Sequence, residues 1–180
     1  MFTSVILGAG KSTRMKANKS KLLFNIAGKP VINHIVSSLK NAKAKHNICV
    51  INNSSAELKK ILEAEKVSFA YQKILDGTAG AVKAALKSKT NSNSKLLILC
   101  GDIPFITSSS IKKLVAKLKN HDAVVGTVEL ESPKGYGRIV RVNNKFSSIV
   151  EENETTPQQR QIREVNTGII AIQEKVLRKY

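Results

Sequence analysis

The chain has 180 residues, with 30 Lys+Arg against 13 Asp+Glu, a formal net charge of +17, 42% hydrophobic and 24% charged residues. That length suits one domain, and that balance of apolar and charged residues belongs to a soluble globule, not a disordered tail. No apolar run approaches the ~18 residues needed to cross a bilayer, and Met1-Phe2-Thr3 opens into a strand-like segment instead of a charged leader, so neither a membrane protein nor a secreted precursor is expected.

In chain order, Thr3–Leu7, Ile48–Ile51, Val67–Tyr71 and Lys95–Cys100 read as short strands. Several are continuously apolar, as parallel strands buried on both faces are. Between them lie helix-period segments. Ile32, Ile35, Val36 and Leu39 share one face; Ala56–Ala64 and Gly77–Lys87 are further helical stretches, the latter with Val82, Ala85 and Leu86 on one side. Ile111, Leu114, Val115 and Leu118 repeat the pattern. Strand and helix alternating in this way predict an α/β fold with a mostly parallel sheet covered on both faces.

The last third changes character. Ala123–Leu130, Arg138–Val142, Ser147–Val150 and Thr167–Ile172 are strand-like, with turn signals at Pro133-Lys134-Gly135 and Asn143-Asn144, and are expected to add antiparallel strands to the sheet. Ser88–Ser94 and Glu151–Arg163 read as exposed polar loops. No repeat and no linker divides the chain.

Cys49 and Cys100 each sit in an apolar run and are expected to be buried free thiols. The scattered His and Cys residues have no zinc-ligand spacing. The lysines run from Lys11 to Lys179 without a dense block, and aromatics make up only 4% with no Trp. A binder of single-stranded nucleic acid wants aromatic platforms in a basic groove. The positive charge is therefore assigned to solubility and to attraction of phosphorylated small molecules, with no nucleic-acid or membrane partner.

The first strand ends in Gly8-Ala9-Gly10-Lys11-Ser12-Thr13-Arg14-Met15. Glycines at a strand's carboxyl end let backbone N–H groups approach an anion, and open α/β sheets bind ligands at that end. Lys11, Arg14 and Lys21 add cations. Gly10–Thr13 imitates the end of a P-loop and Leu96–Asp102 a strand carrying a magnesium aspartate. The preceding P-loop glycine, however, would fall at Val5, inside the strand.

Read with Lys21, this loop resembles the signature of sugar-phosphate nucleotidyltransferases. Gln72–Ala81 (QKILDGTAGA), Leu99–Pro104 (LCGDIP), Gly135–Arg141 (GYGRIVR), Ile149–Glu152 (IVEE) and Glu164–Ile169 (EVNTGI) follow in order. Together they are similar to the uridylyltransferase half of the bacterial bifunctional N-acetylglucosamine-1-phosphate uridyltransferase / glucosamine-1-phosphate N-acetyltransferases, over nearly the whole chain. The resemblance implies a Rossmann-like, GT-A-like three-layer sandwich. It also implies uridylyl transfer from UTP to N-acetylglucosamine-1-phosphate, giving UDP-N-acetylglucosamine and pyrophosphate for peptidoglycan and lipopolysaccharide precursors, in the cytoplasm and with Mg2+.

By the same resemblance, Leu7, Gly8, Ala9, Gly10, Gln72, Gly77, Thr78 and Gly101 bind the nucleotide. Arg14 and Lys21 hold the triphosphate as the catalytic cations, Asp102 binds the metal, and Gly137, Glu151 and Asn166 hold the sugar. Four positions depart from the family pattern: Ser12 for Gly, Ser20 for Pro, Gly80 for His, and the run after Glu151. The family's catalytic domain continues past Tyr180, where an Asn supplies a second metal ligand. Residues 1–180 are thus expected to be one nucleotidyltransferase domain incomplete at its C-terminal end. Without the β-helix domain, neither acetyl transfer nor a homo-oligomer is expected. Other readings stay open: a different sugar-1-phosphate, a thymidine nucleotide, or a non-catalytic remnant that binds nucleotide sugars. Bland roles stay open too, such as a helix cap for Thr78 or a turn for Asp102 and Asn166.

Overall fold

The computed structural model describes residues 1–10, 20–52, 56–88 and 94–179. They form two compact units, one of Met1–Val124 with Ala171–Tyr180, the other of Val125–Ile170. No helix among the described residues is long and apolar enough to cross a membrane.

In the first unit, β1 (Thr3–Leu7) is followed by a small hairpin of β2 (Asn25–Ile26) and β3 (Lys29–Pro30). Then come α1 (Val31–Asn41), β4 (His46–Ile51), α2 (Ala56–Ala64), β5 (Ser68–Tyr71), α3 (Thr78–Lys87), β6 (Lys95–Cys100) and α4 (Ser108–Lys117). The strands lie in the order β5-β4-β1-β6 and every pair is parallel. Val5 stands opposite Ile48 and Ile98, and Ile6 opposite Cys49 and Leu99.

Side chains alternate across a strand, so Val5, Ile48, Val50 and Ile98 share one face, where Ala81, Val82 and Ala85 of α3 close over them. The small alanines let that helix lie close. The opposite face, with Ile6, Cys49 and Leu99 wholly buried, is covered in turn, and α1, with Ile32, Ile35, Val36 and Leu39 buried, packs on α4. Each such aliphatic side chain contributes ~1.5–3 kcal/mol by leaving water. This burial on both faces is why the stretches Val5–Leu7, Ile48–Ile51 and Leu96–Cys100 are continuously apolar instead of alternating.

The chain ends of this unit are tied by polar bonds. Gln173 donates from its backbone to the Asp122 carbonyl at 2.9 Å and from its side chain to the Leu118 carbonyl at 2.8 Å. The buried Glu174 opens α6 (Glu174–Leu177), accepting from Ser94 Oγ at 2.7 Å and from Arg178 at 2.8 Å.

The second unit holds most of β7 (Ala123–Glu129), all of β8 (Arg138–Val142), β9 (Lys145–Val150) and α5 (Pro157–Arg160), and most of β10 (Glu164–Gln173). β8 is antiparallel to β9 and to β10, and β7 pairs with β10. The β8–β9 turn is Asn143-Asn144, with φ of 50° and 61°, a doubly left-handed turn that matches strand twist and that asparagine tolerates.

Two expectations are corrected. Glu151–Arg163 is not simply an exposed loop; it contains a 3-10 turn, Glu152–Glu154, and α5. Thr156 Oγ1 accepts from the Gln159 N–H at 3.2 Å while Gln159 Oε1 accepts from the Thr156 N–H at 2.9 Å. That reciprocal cap holds a helix too short to show apolar periodicity. Cys49 is buried as expected, but Cys100 is only partly so, and both are free thiols.

Candidate functional site

The site in the first unit begins where the parallel strands end. The Gly8 N–H donates to the Val50 carbonyl at 2.9 Å and the Gly101 N–H to the Leu7 carbonyl at 3.0 Å, so the pairing runs one residue past each strand. Leu22, wholly buried, lies across both glycines. A Cβ at Gly8 would sit 2.8 Å from Leu22 Cδ1, and one at Gly101 would sit 2.7 Å from Leu22 Cδ2. No larger residue fits at either position without moving the leucine. Leu22 belongs to the 3-10 turn Lys21–Leu23, whose first turn is capped by Ser20 Oγ. Anchored there, the turn sets Lys21 Nζ on Asp102 Oδ2. Both side chains remain partly exposed, at 33% and 45%.

Beside this ion pair opens a cavity of about 530 Å³, lined by Leu7, Ala9, Gly10, Gln72, Gly77 and Thr78 together with Leu75, Ala81 and Cys100. Asn52 Nδ2 donates to the Ala9 carbonyl at 3.0 Å and so holds the glycine-containing wall. Gly77 has φ 91° and ψ −167°, a conformation open essentially to glycine alone. It turns the chain sharply into α3. Gln72, only 7% exposed, donates both N–H bonds of its carboxamide, to Asp76 Oδ1 at 2.9 Å and to the Gly77 carbonyl at 3.0 Å. Burial raises the Cys100 pKa, Asp102 raises it further and Lys21 pulls it back; burial alone pushes Cys49 up to about 12. Both stay protonated thiols at neutral pH, so neither is poised as a nucleophile.

In the second unit, Gly137, Glu151 and Asn166 are gathered. The Asn166 N–H donates to the Gly137 carbonyl at 2.9 Å, and a Cβ at Gly137 would lie 3.2 Å from Glu151 Oε1. Asn166 Oδ1 accepts from the Gly168 N–H at 2.9 Å, which fixes its carboxamide. Arg138, 1% exposed, reaches Glu152 at 2.8 Å and donates to the Tyr136 carbonyl. Glu152 also accepts from the Gly135 N–H at 2.9 Å. That backbone donor, then Arg138, holds the Glu152 carboxyl below the usual carboxylate range.

The structure thus brings Leu7, Ala9, Gly10, Gln72, Gly77 and Thr78 to one cavity and pairs Lys21 with Asp102. Gly8 and Gly101 stand beneath Leu22. Arg14 and Lys11 lie outside the described residues. Sequence reasoning missed Leu22, Asn52, Asp76 and the Arg138–Glu152 pair. Of these only Arg138, a charge opening an apolar strand, carried a local signal.

Residues 4–163 match the family described as the MobA-like NTP transferase domain. The chain is 35% identical over 176 residues to the bifunctional protein GlmU of Buchnera aphidicola subsp. Acyrthosiphon pisum (strain Tuc7), covering 98% of this chain and 38% of that relative. It is 37% identical over 179 residues to GlmU of Caldicellulosiruptor saccharolyticus, covering 97% and 39%. The chain therefore spans well under half the length of these curated relatives. HddC from Yersinia pseudotuberculosis, solved with GMP-PN, superposes with a TM-score of 0.79 over 100% of this chain and 80% of that one, at 24% identity. That likeness is one of fold. A parallel sheet with its glycine-bearing strand ends, matched along most of its length by one family, makes this chain a member of the MobA-like NTP transferase domain family.

Proposed function

We propose that the chain transfers a uridylyl group from UTP to N-acetylglucosamine-1-phosphate, giving UDP-N-acetylglucosamine and pyrophosphate in the cytoplasm for cell-envelope precursors. The observation that carries this reading is the Lys21–Asp102 pair at the strand ends, beside a cavity lined by Leu7, Ala9 and Gly10 and by Gln72, Leu75, Gly77 and Thr78. The 33–37% identity to GlmU proteins supports the choice of base and sugar.

In this reading the cavity takes the nucleoside, while Gly8 and Gly101 seat Leu22 and so hold the turn that carries Lys21. The sugar phosphate attacks the α-phosphorus, and its oxygen is already ionised at neutral pH, so no general base is needed. Two anions must be brought together, which makes positioning and charge neutralisation the main tasks. Lys21 supplies a point charge to the triphosphate. Arg14 is assigned the pyrophosphate oxygens, which a guanidinium can brace two at a time. Gly137, Glu151 and Asn166 are assigned the N-acetylglucosamine; the fixed Asn166 carboxamide and the Glu151 carboxylate suit sugar hydroxyl and amide groups.

Asp102 fits a Mg2+ ion. It is a hard oxygen donor with an exposed side chain, and no cluster of three His, Cys, Asp or Glu exists among the described residues. Mg2+ commonly takes one or two carboxylates and completes its shell with water and phosphate oxygens. Bound there, it would supply charge neutralisation on the phosphates. Titration calorimetry with UDP-N-acetylglucosamine, UDP-glucose and dTDP-glucose tests the assignment. Preferential binding of UDP-N-acetylglucosamine is expected; equal or absent binding of all three contradicts it.

A further inference from the structure

Asp76 and Gly80 stand outside the lining of the nucleoside cavity but pack against each other and against Gln72, which lines it. A Cβ built on Gly80 would fall 1.7 Å from Asp76 Oδ1, so the Asp76 carboxylate occupies the place a side chain at position 80 would take. From there it accepts an N–H of Gln72 at 2.9 Å, while the Gly77 carbonyl accepts the other at 3.0 Å. A carboxylate and a backbone carbonyl can only accept, so the carboxamide nitrogen must face them. Gln72 lines both the cavity beside Lys21–Asp102 and a separate groove that holds Asp76 and Gly80. Asp76 lines only the groove, so it acts on the cavity through Gln72.

We propose that Asp76, seated over Gly80, is a positioning residue that sets the base selectivity of the cavity. It consumes a donor of Gln72 and leaves the carboxamide oxygen, an acceptor, as the polar atom Gln72 offers. This rests on the reading of the cavity as the nucleoside site. The bases it suits are those whose ring nitrogen carries a proton beside a carbonyl: uracil, thymine and guanine. Cytosine and adenine present a lone pair at the matching nitrogen, and an acceptor facing a lone pair leaves both groups unpaired and repelling.

Binding of UTP and of CTP to the full chain, measured by calorimetry, tests this on the wild type, Asp76→Ala, Asp76→Asn and Gly80→Ala. The wild type is expected to prefer UTP by roughly tenfold or more. Asp76→Ala removes the acceptor, and Gly80→Ala evicts the carboxylate without deleting it. Alanine favours helix over glycine in α3, so Gly80→Ala keeps the fold. Each of these two variants is expected to lower the UTP-to-CTP preference about fivefold, the worth of one hydrogen bond. Asp76→Asn keeps an accepting oxygen and is expected to retain it. A merely structural role would weaken both nucleotides alike and leave the ratio unmoved. Equal binding of UTP and CTP by the wild type, or an unmoved ratio in both alanine variants, overturns the proposal while the nucleotide reading stands. Failure of the wild type to bind either nucleotide overturns that reading, and this proposal with it.

Discussion

Lys21 and Asp102 meet as an ion pair of partly exposed side chains, and such pairs contribute only ~0–1 kcal/mol to stability. Their value in the proposed reaction is larger, because a fixed cation facing phosphate charge acts where water is thinned. Lys21→Met is therefore expected to lower kcat by about 10²–10³-fold with little change in thermal midpoint; equal loss of both would assign Lys21 to the fold. Asp102→Asn is expected to flatten the dependence of rate on Mg2+ concentration, measured by pyrophosphate release. An unchanged metal response would remove Asp102 from the metal site. Arg14→Ala is expected to reduce turnover more than affinity for UDP-N-acetylglucosamine, since the product lacks the leaving pyrophosphate. Comparable losses would argue against that role.

At the scale of elements, the sequence foretold β1, β6 and α2 with their observed bounds, because continuous apolar runs and helical spacing both follow from burial against a sheet. Leu22 was not legible. Its role comes from two glycines distant in sequence, Gly8 and Gly101, whose missing side chains make its seat. The sequence also showed Gln72 and Gly77 as candidates but not the hydrogen bonds that turn Gln72, which depend on Asp76 folding back over Gly80. The 3-10 turn, α5 and the β2–β3 hairpin escaped because two to four residues carry no period. Leu22→Ala is expected to destabilise the protein by ~2–5 kcal/mol, the usual range for emptying a buried leucine site. It should also raise KM for UTP by loosening Lys21. Denaturant unfolding with parallel kinetics checks this; lost stability with unaltered KM would separate Leu22 from the site.

For the whole molecule, charge and pH give the widest tests. The Glu152 carboxyl is held low by the Gly135 N–H and Arg138, and Glu164 by its hydrogen bonds with Arg141. A carboxylate with a lowered folded pKa stabilises the native state above the ordinary value of 4.5. As pH falls below 4.5 the unfolded chain takes up protons first, so this contribution shrinks and is gone below the folded pKa. Urea unfolding across that range is expected to show stability falling with pH, and Glu152→Gln a shallower fall; identical profiles would contradict the linkage. The net charge of +17 is expected to draw anionic substrates from solution, so added salt should raise KM for UTP.

Uridylyl transfer itself is tested by pyrophosphate release from the chain supplied with UTP, N-acetylglucosamine-1-phosphate and Mg2+. Turnover that requires all three, and falls when glucose-1-phosphate or CTP is substituted, is the predicted result. Absence of pyrophosphate under those conditions would contradict it.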